Sequence, residues 1–137
     1  MKLSRHKERI IALQILFSLN TKEKFNFDEV NIETNNIKKI DSSINWGDKS
    51  QYFYQIIEGV INNQDQLDQI IAQLAIDWDI ERMPRVDLNI LRIALLEIRK
   101  GIPEGVAINE AVELAKEFGS DKSPGFINGI LARSLKV

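Results

Sequence analysis

Apolar residues return every three or four positions along most of this chain, and no stretch of useful length alternates apolar with polar. That period belongs to helices packed on one face rather than to strands. A first helix is predicted from Ser4, a suitable N-cap, to about Asn20. Up to Arg9 it is polar all round, whereas Ile10, Ile11, Leu13, Ile15, Leu16 and Phe17 make its second half apolar on nearly every side. The apolar half is expected to be enclosed by other helices and the polar end to protrude into solvent. Between Thr21 and Ser50 the period weakens among many Asn, Thr and Ser residues. One or two short helices are expected there, with Phe27, Val30, Ile37 and Ile40 turned inward.

The pattern sharpens after Asp48, a candidate N-cap or first-turn acid. Tyr52, Phe53, Ile56, Ile57, Val60 and Ile61 make one stripe, and Leu67, Ile70, Ile71, Leu74 and Trp78 make another beyond "NNQD". Aromatics at this spacing predict core positions for Tyr52, Phe53 and Trp78. Pro84 can open the next helix, because its missing N–H is not needed in the first turn. Leu88, Leu91, Ala94, Leu95 and Ile98 supply that helix's buried face, and "RKG" closes it with Gly101 in a left-handed cap. Pro103 turns the chain, and Asn109 is the expected N-cap of a helix with Ala111, Val112 and Ala115 inward. Gly119 ends it. Ser123-Pro124 starts a last helix in which Phe126, Ile127, Ile130 and Leu131 pack, and Gly129 is expected to admit a close neighbour. The reading is all-α, with about seven helices in one domain spanning residues 1–137.

Composition narrows the chemistry. Cysteine is absent and His6 is the single histidine, which removes thiol catalysis, Cys- or His-pair zinc sites and a histidine-dependent triad. No apolar run reaches the ~18 residues a membrane span needs, and the charged start "MKLSRHKERI" does not read as a signal peptide, so a cytoplasmic protein is expected. The formal net charge of −2 argues against a general polyanion binder. Its distribution matters more. Lys2, Arg5, Lys7 and Arg9 crowd the start against Glu8 alone, whereas from Ser50 to Glu81 there is no Lys or Arg beside Glu58, Asp65, Asp68, Asp77, Asp79 and Glu81. A cationic end and an anionic flank point to two different partners. The cationic end is equally what a solvated helix start looks like, although positive charge there opposes the macrodipole.

No constellation reads as catalytic. Glu110 and Glu113 are explained by a first helical turn, Asp77 and Asp79 would not face each other on a helix, and "GIPEG" lacks the strand and Lys-Ser/Thr of a phosphate loop. The corner "FGSDKSPGF" is different. It gathers Lys122, the Ser120 and Ser123 hydroxyls and free N–H groups at a helix start, which are donors suited to a phosphate. Phe118 could stack on an unpaired base if it projects past its helix end. A plain helix–helix corner with Phe118 buried is the competing reading.

The segments "RIALLEI", "IPEGVAINEAVELAKEFG" and "SPGFINGIL", with the opening "SRHKERIIALQILFSL", resemble the NusB family of bacterial transcription antitermination factors. The resemblance covers nearly the whole chain and is least distinctive from Thr21 to Ser50. It implies a NusB-like fold of two small helical bundles and no enzymatic reaction, cofactor or metal. It implies binding to the single-stranded boxA element of ribosomal RNA leaders, together with the small-subunit ribosomal protein NusE, within an antitermination complex on RNA polymerase. Carried onto this sequence, the RNA contacts are Lys2, Arg5, His6, Lys7 and Arg9 at the start and Phe118, Ser120, Lys122 and Ser123 at the corner. Glu81, Arg82, Asp87 and Arg92 match the part facing the ribosomal protein. The connector departs from the family in carrying Lys122 where acid is frequent. The cationic start and the Lys122 corner are expected to share one RNA-binding face. A helical protein-interaction scaffold without RNA binding is the alternative, and association into a homodimer stays open.

Overall fold

The computed structural model describes residues 4–19 and 51–134. Among them are five α-helices, α1 (Arg5–Ser18), α2 (Tyr52–Leu74), α3 (Arg85–Arg99), α4 (Glu104–Phe118) and α5 (Ser123–Ser134), with a 3-10 turn at Ile80–Arg82. No strand occurs among the described residues, in agreement with the all-α reading. The short helices expected between Thr21 and Ser50, the Asp48 cap and Lys2 lie outside the described residues. The break expected at "NNQD" is reduced to one residue of α2, Asn63, whose φ of −119° and ψ of 15° leave helical backbone. The chain divides between Ile61 and Asn62 into two compact units.

In the first unit α1 starts as its sequence dictates. The Ser4 hydroxyl accepts the Lys7 N–H at 3.1 Å, satisfying one of the orphan donors of the first turn. Ile11, Ala12, Leu13, Ile15, Leu16 and Leu19 are buried, as are Phe53, Ile56, Ile57 and Val60 of α2. Two expectations fail. Phe17 is 44% exposed, on the same face as exposed Lys7 and Gln14. The polar start does not simply protrude: Glu8 and Arg9 are buried at 5% and 4% exposure. Glu8 goes inside because it has a task there. Its Oε1 accepts the Tyr52 N–H at 2.9 Å, so a carboxylate from α1 meets the positive end of α2.

In the second unit α3 is the centre. From Asp87 to Glu97 every residue is buried, so its environment is a full ring of neighbours rather than one face. Leu88, Ile90, Leu91, Ile93, Leu95 and Leu96 each remove roughly 1.5–3 kcal/mol of apolar surface energy from water as an upper bound. The helix ends in a Schellman arrangement. The Ile102 N–H reaches the Glu97 carbonyl at 3.0 Å and the Gly101 N–H reaches that of Ile98 at 3.1 Å, with Gly101 at φ 99° as predicted.

α4 packs on both α3 and α5, which also touch each other. It begins five residues before the expected cap: Pro103 precedes the first turn and Asn109 is an exposed mid-helix position. "GIPEG" reads locally as a loop, but Pro103 suits a helix entry. Ala107, Ala111, Leu114 and Ala115, all buried, then draw the segment onto its neighbours. The expectation for Gly129 also fails. A Cβ there would meet nothing within 4 Å, so no close approach depends on it.

A polar tie crosses this unit. Arg92, 1% exposed, donates through Nε and Nη2 to the two oxygens of Asp68 on α2, at 2.7 and 2.8 Å. Its Nη1 donates to Asn89 Oδ1 at 3.1 Å, and Asn89 Nδ2 donates to the Arg85 carbonyl at 3.0 Å. Arg133 on α5 closes the far end of α2 by donating to the Leu74 carbonyl at 2.6 Å.

Candidate nucleic-acid interface

At the α1 start, Arg5 is held on two sides. Its Nη1 donates to Glu8 Oε2 at 3.0 Å with its side chain 58% exposed, and its guanidinium lies 4.3 Å from the Tyr52 ring centroid. An ion pair this exposed contributes little to stability, but the ring and the carboxylate together limit where the guanidinium can point. Arg9 sits 5.7 Å from the same ring and is buried, so it braces Tyr52 from inside rather than offering a surface charge. Lys7 is exposed and His6 half-buried. Tyr52, expected as core, is a half-buried platform for arginines. Nothing in the local sequence signals this role, because the partners are 47 and 43 residues away.

The second region is the corner between α4 and α5. The Gly119 N–H closes α4 on the Ala115 carbonyl at 2.9 Å, and the Ser123 N–H donates to the Ser120 carbonyl at 3.0 Å. That bond makes Ser120–Ser123 a β-turn with Asp121 and Lys122 at its tip, where both are exposed. In return the Ser123 hydroxyl accepts the Ser120 N–H at 2.9 Å, in the manner of a capping box. The two hydroxyl oxygens are 3.2 Å apart. Phe118 is 37% exposed; the alternative of a buried phenylalanine does not hold.

Ser123 is a different matter. It is 2% exposed and its hydroxyl is turned to the N–H and hydroxyl of Ser120, so it shapes the turn and does not face solvent. Ser120, by contrast, is exposed. Gly119 is required by space rather than by backbone angle. A Cβ there would lie 2.5 Å from both Cβ and Oγ of Ser123 and 2.9 Å from the Ala115 carbonyl oxygen.

Burial pushes the Asp87 carboxyl above the usual carboxylate range, and the bond from Ser123 pulls part of the way back. An acid whose folded pKa exceeds its unfolded value holds its proton more tightly in the folded chain. Ionising it therefore costs stability, and that cost appears as pH rises through the folded value and vanishes below the unfolded one.

The residues carried over for the ribosomal protein separate in the same way. Glu81 and Arg82 are exposed on the 3-10 turn, which Asp79 caps by accepting the Glu81 N–H at 3.0 Å. Asp87 and Arg92 are interior, at 4% and 1% exposure, and their contacts are within the second unit. Around the turn, Ile76 and Trp78 are 72% and 50% exposed. Trp78, expected as core, meets Phe126 of α5 edge-on with ring centroids 4.8 Å apart. Among the described residues no cluster of three or more His, Asp or Glu could hold a metal ion, and no helix is long and apolar enough to cross a membrane.

The model of the NusB family matches residues 6–136. The transcription antitermination protein NusB of Halothermothrix orenii is 51% identical over 137 residues, covering 99% of each chain. Among solved structures, T. maritima NusB superposes with a TM-score of 0.79 at 30% identity, covering 99% of this chain and 93% of that one. A structure of the antitermination factors NusB and NusE in complex with double-stranded RNA gives a TM-score of 0.75 at 20% identity, covering 98% of both chains, and so shares the fold. A match along almost the full length, with identity at half of all positions to one relative, leads to a single conclusion: the chain belongs to the NusB family.

Proposed function

We propose that the chain is a cytoplasmic transcription antitermination factor that binds unpaired ribosomal RNA leader RNA of the boxA type. It acts with the ribosomal protein NusE in a complex on RNA polymerase, by binding alone, without catalysis or a cofactor. The observation that carries this reading is the α4–α5 corner. There an aromatic ring at the end of one helix and a lysine at the tip of a hydrogen-bonded turn both reach solvent. A ring stacks on a base of any sequence and a lysine neutralises a phosphate, which is the donor set unpaired RNA requires. Arg5 and Lys7 add exposed positive charge at the α1 start. Support for antitermination as the setting comes from the 51% identical relative that bears that name.

Counterion release supplies the test. Each phosphate contact on a single strand contributes about 0.7 to the slope of log affinity against log salt. Arg5→Ala combined with Lys122→Ala is expected to weaken binding to a boxA-type RNA and to flatten that slope by about 1.4. A slope equal to wild type removes both residues from the interface. A gel shift with that RNA, with and without NusE, separates this reading from a helical scaffold that binds no RNA.

For the ribosomal protein, exposed Glu81 beside Asp77 and Asp79 offers negative charge to a basic surface. Glu81→Lys is expected to lower association with NusE on the order of fivefold at low salt while leaving the helical circular-dichroism signal intact. Calorimetry showing wild-type association would place the interface elsewhere.

A further inference from the structure

We infer that Glu8 and Tyr52 are positioning residues for Arg5: the three side chains and one backbone N–H close a ring of contacts that presents the Arg5 guanidinium, already ordered, to an RNA phosphate. The inference rests on the reading of the α1 start as an RNA contact. Its geometric part lies wholly within the first unit.

The contacts form a triangle. Glu8 Oε2 accepts from Arg5 Nη1 at 3.0 Å, and Glu8 Oε1 accepts the Tyr52 N–H at 2.9 Å. The third side is the Arg5 guanidinium over the Tyr52 ring, 4.3 Å from its centroid. Arg5 and Glu8 share a helix face because they are three residues apart, whereas Tyr52 arrives from another helix. Each oxygen of Glu8 has its own donor, so turning the carboxylate to improve one bond loses the other. Glu8 is 5% exposed, and Arg9, 5.7 Å from the same centroid, is 4% exposed. The support beneath the guanidinium is therefore interior and has little room to move.

The guanidinium itself is not interior. The Arg5 side chain is 58% exposed, and Glu8 takes only Nη1. Among the described residues none accepts from Nε or Nη2, which together make one of the forks that grip two phosphate oxygens at once. Arginine is among the costliest side chains to immobilise, because several of its bonds rotate freely in solution. A guanidinium that is already held loses less freedom on binding, and the difference appears as affinity.

Charge alone predicts the opposite. As an electrostatic neighbour Glu8 offsets Arg5 and repels phosphate, so removing its charge should tighten RNA binding. Positioning and electrostatics therefore give Glu8→Gln opposite signs. The glutamine keeps a carbonyl oxygen for the Tyr52 N–H, but its amide NH2 then faces the guanidinium, donor against donor. Arg5 is released.

The experiment measures the affinity of the full chain for a fluorescein-labelled single-stranded boxA-type RNA, well below the unfolding midpoint. It also follows the Arg5 side-chain protons by NMR. Glu8→Gln is expected to weaken binding on the order of fivefold, the cost of ordering one released, rotamer-rich side chain. In an Arg5→Ala background the same change should no longer weaken binding, because nothing is left to position. Tyr52→Leu should weaken binding to a similar extent and remove the ring-current shift that Tyr52 imposes on the Arg5 protons. Tyr52→Phe, which keeps the ring, should recover most of both losses.

A tie that merely joined α1 to α2 would lower the unfolding midpoint of Glu8→Gln without moving RNA affinity in the folded protein. Wild-type or tighter binding by folded Glu8→Gln overturns the inference, as does an equal loss in the Arg5→Ala background. Should one of Glu8→Gln and Tyr52→Leu fail to fold, the other decides by the same readouts. Arg5→Ala by itself separates the two levels. It should flatten the slope of log affinity against log salt by about 0.7. An unchanged slope defeats the reading of the α1 start as an RNA contact, whereas the Arg5 proton shifts in Glu8→Gln and Tyr52→Leu still report on the positioning.

Discussion

Arg92→Ala is expected to lower the unfolding free energy by about 3 kcal/mol, the lower end of the cost of breaking a buried ion pair. Two groups lose their partner at once. Asp68 keeps 26% of its side chain exposed, so water partly compensates it. Asn89 is fully buried, and its Oδ1 has no such recourse. At this size the loss corresponds to a melting temperature lower by roughly 10 °C, and urea denaturation with an unchanged m-value would confirm that stability alone moved. Replacing both members, Arg92→Met with Asp68→Leu, should cost far less, because the penalty lies in the orphaned charge rather than in the missing attraction. A loss below about 1 kcal/mol for Arg92→Ala would mean that solvent already screens the pair.

Gly119→Ala should be nearly as damaging, by about 2–3 kcal/mol, although it adds one methyl group. The backbone angle is not the reason: φ is −91°, ordinary for any residue. The reason is the 2.5 Å approach to Ser123 and the 2.9 Å approach to the Ala115 carbonyl oxygen, neither of which is the far end of a flexible side chain. Relief requires moving Ser123, which breaks the Ser120–Ser123 exchange and displaces the turn tip, so RNA affinity is expected to fall with stability. Gly129→Ala is the control. Its Cβ would meet nothing within 4 Å, and in an exposed helical position it should be neutral or stabilising by up to ~1 kcal/mol. Comparable losses in the two variants would refute the steric account.

Where the sequence misled, it did so through range. Asn109 looks like an N-cap because capping is judged from the next three or four residues. The Pro103 start is decided by the burial of Ala107, Ala111 and Leu114 against other helices. Trp78 has the spacing of a core aromatic, yet it sits beyond the end of α2, in a loop where spacing no longer reports a face. Arg92 and Asp87 look like surface charges because a charged residue in an amphipathic pattern usually is one. Nothing within a few positions reveals that α3 is surrounded on all sides. Arg9 was legible as a cation but not as an interior one, since Tyr52 lies 43 residues further on.

Local chemistry alone determined that this chain is helical, that α1 begins at Ser4 and that α3 stops at the left-handed Gly101, because caps and left-handed glycines act within one turn of the backbone. It also determined the family, through the run from Ile102 to Leu131. Only the tertiary structure decided which charges remain at the surface. Arg5, Lys7 and Lys122 reach solvent while Arg9, Asp87 and Arg92 do not, and that division depends on partners far away in sequence. A charge goes inside where a carboxylate or a ring from another helix meets it, and the sequence places no marker on such meetings.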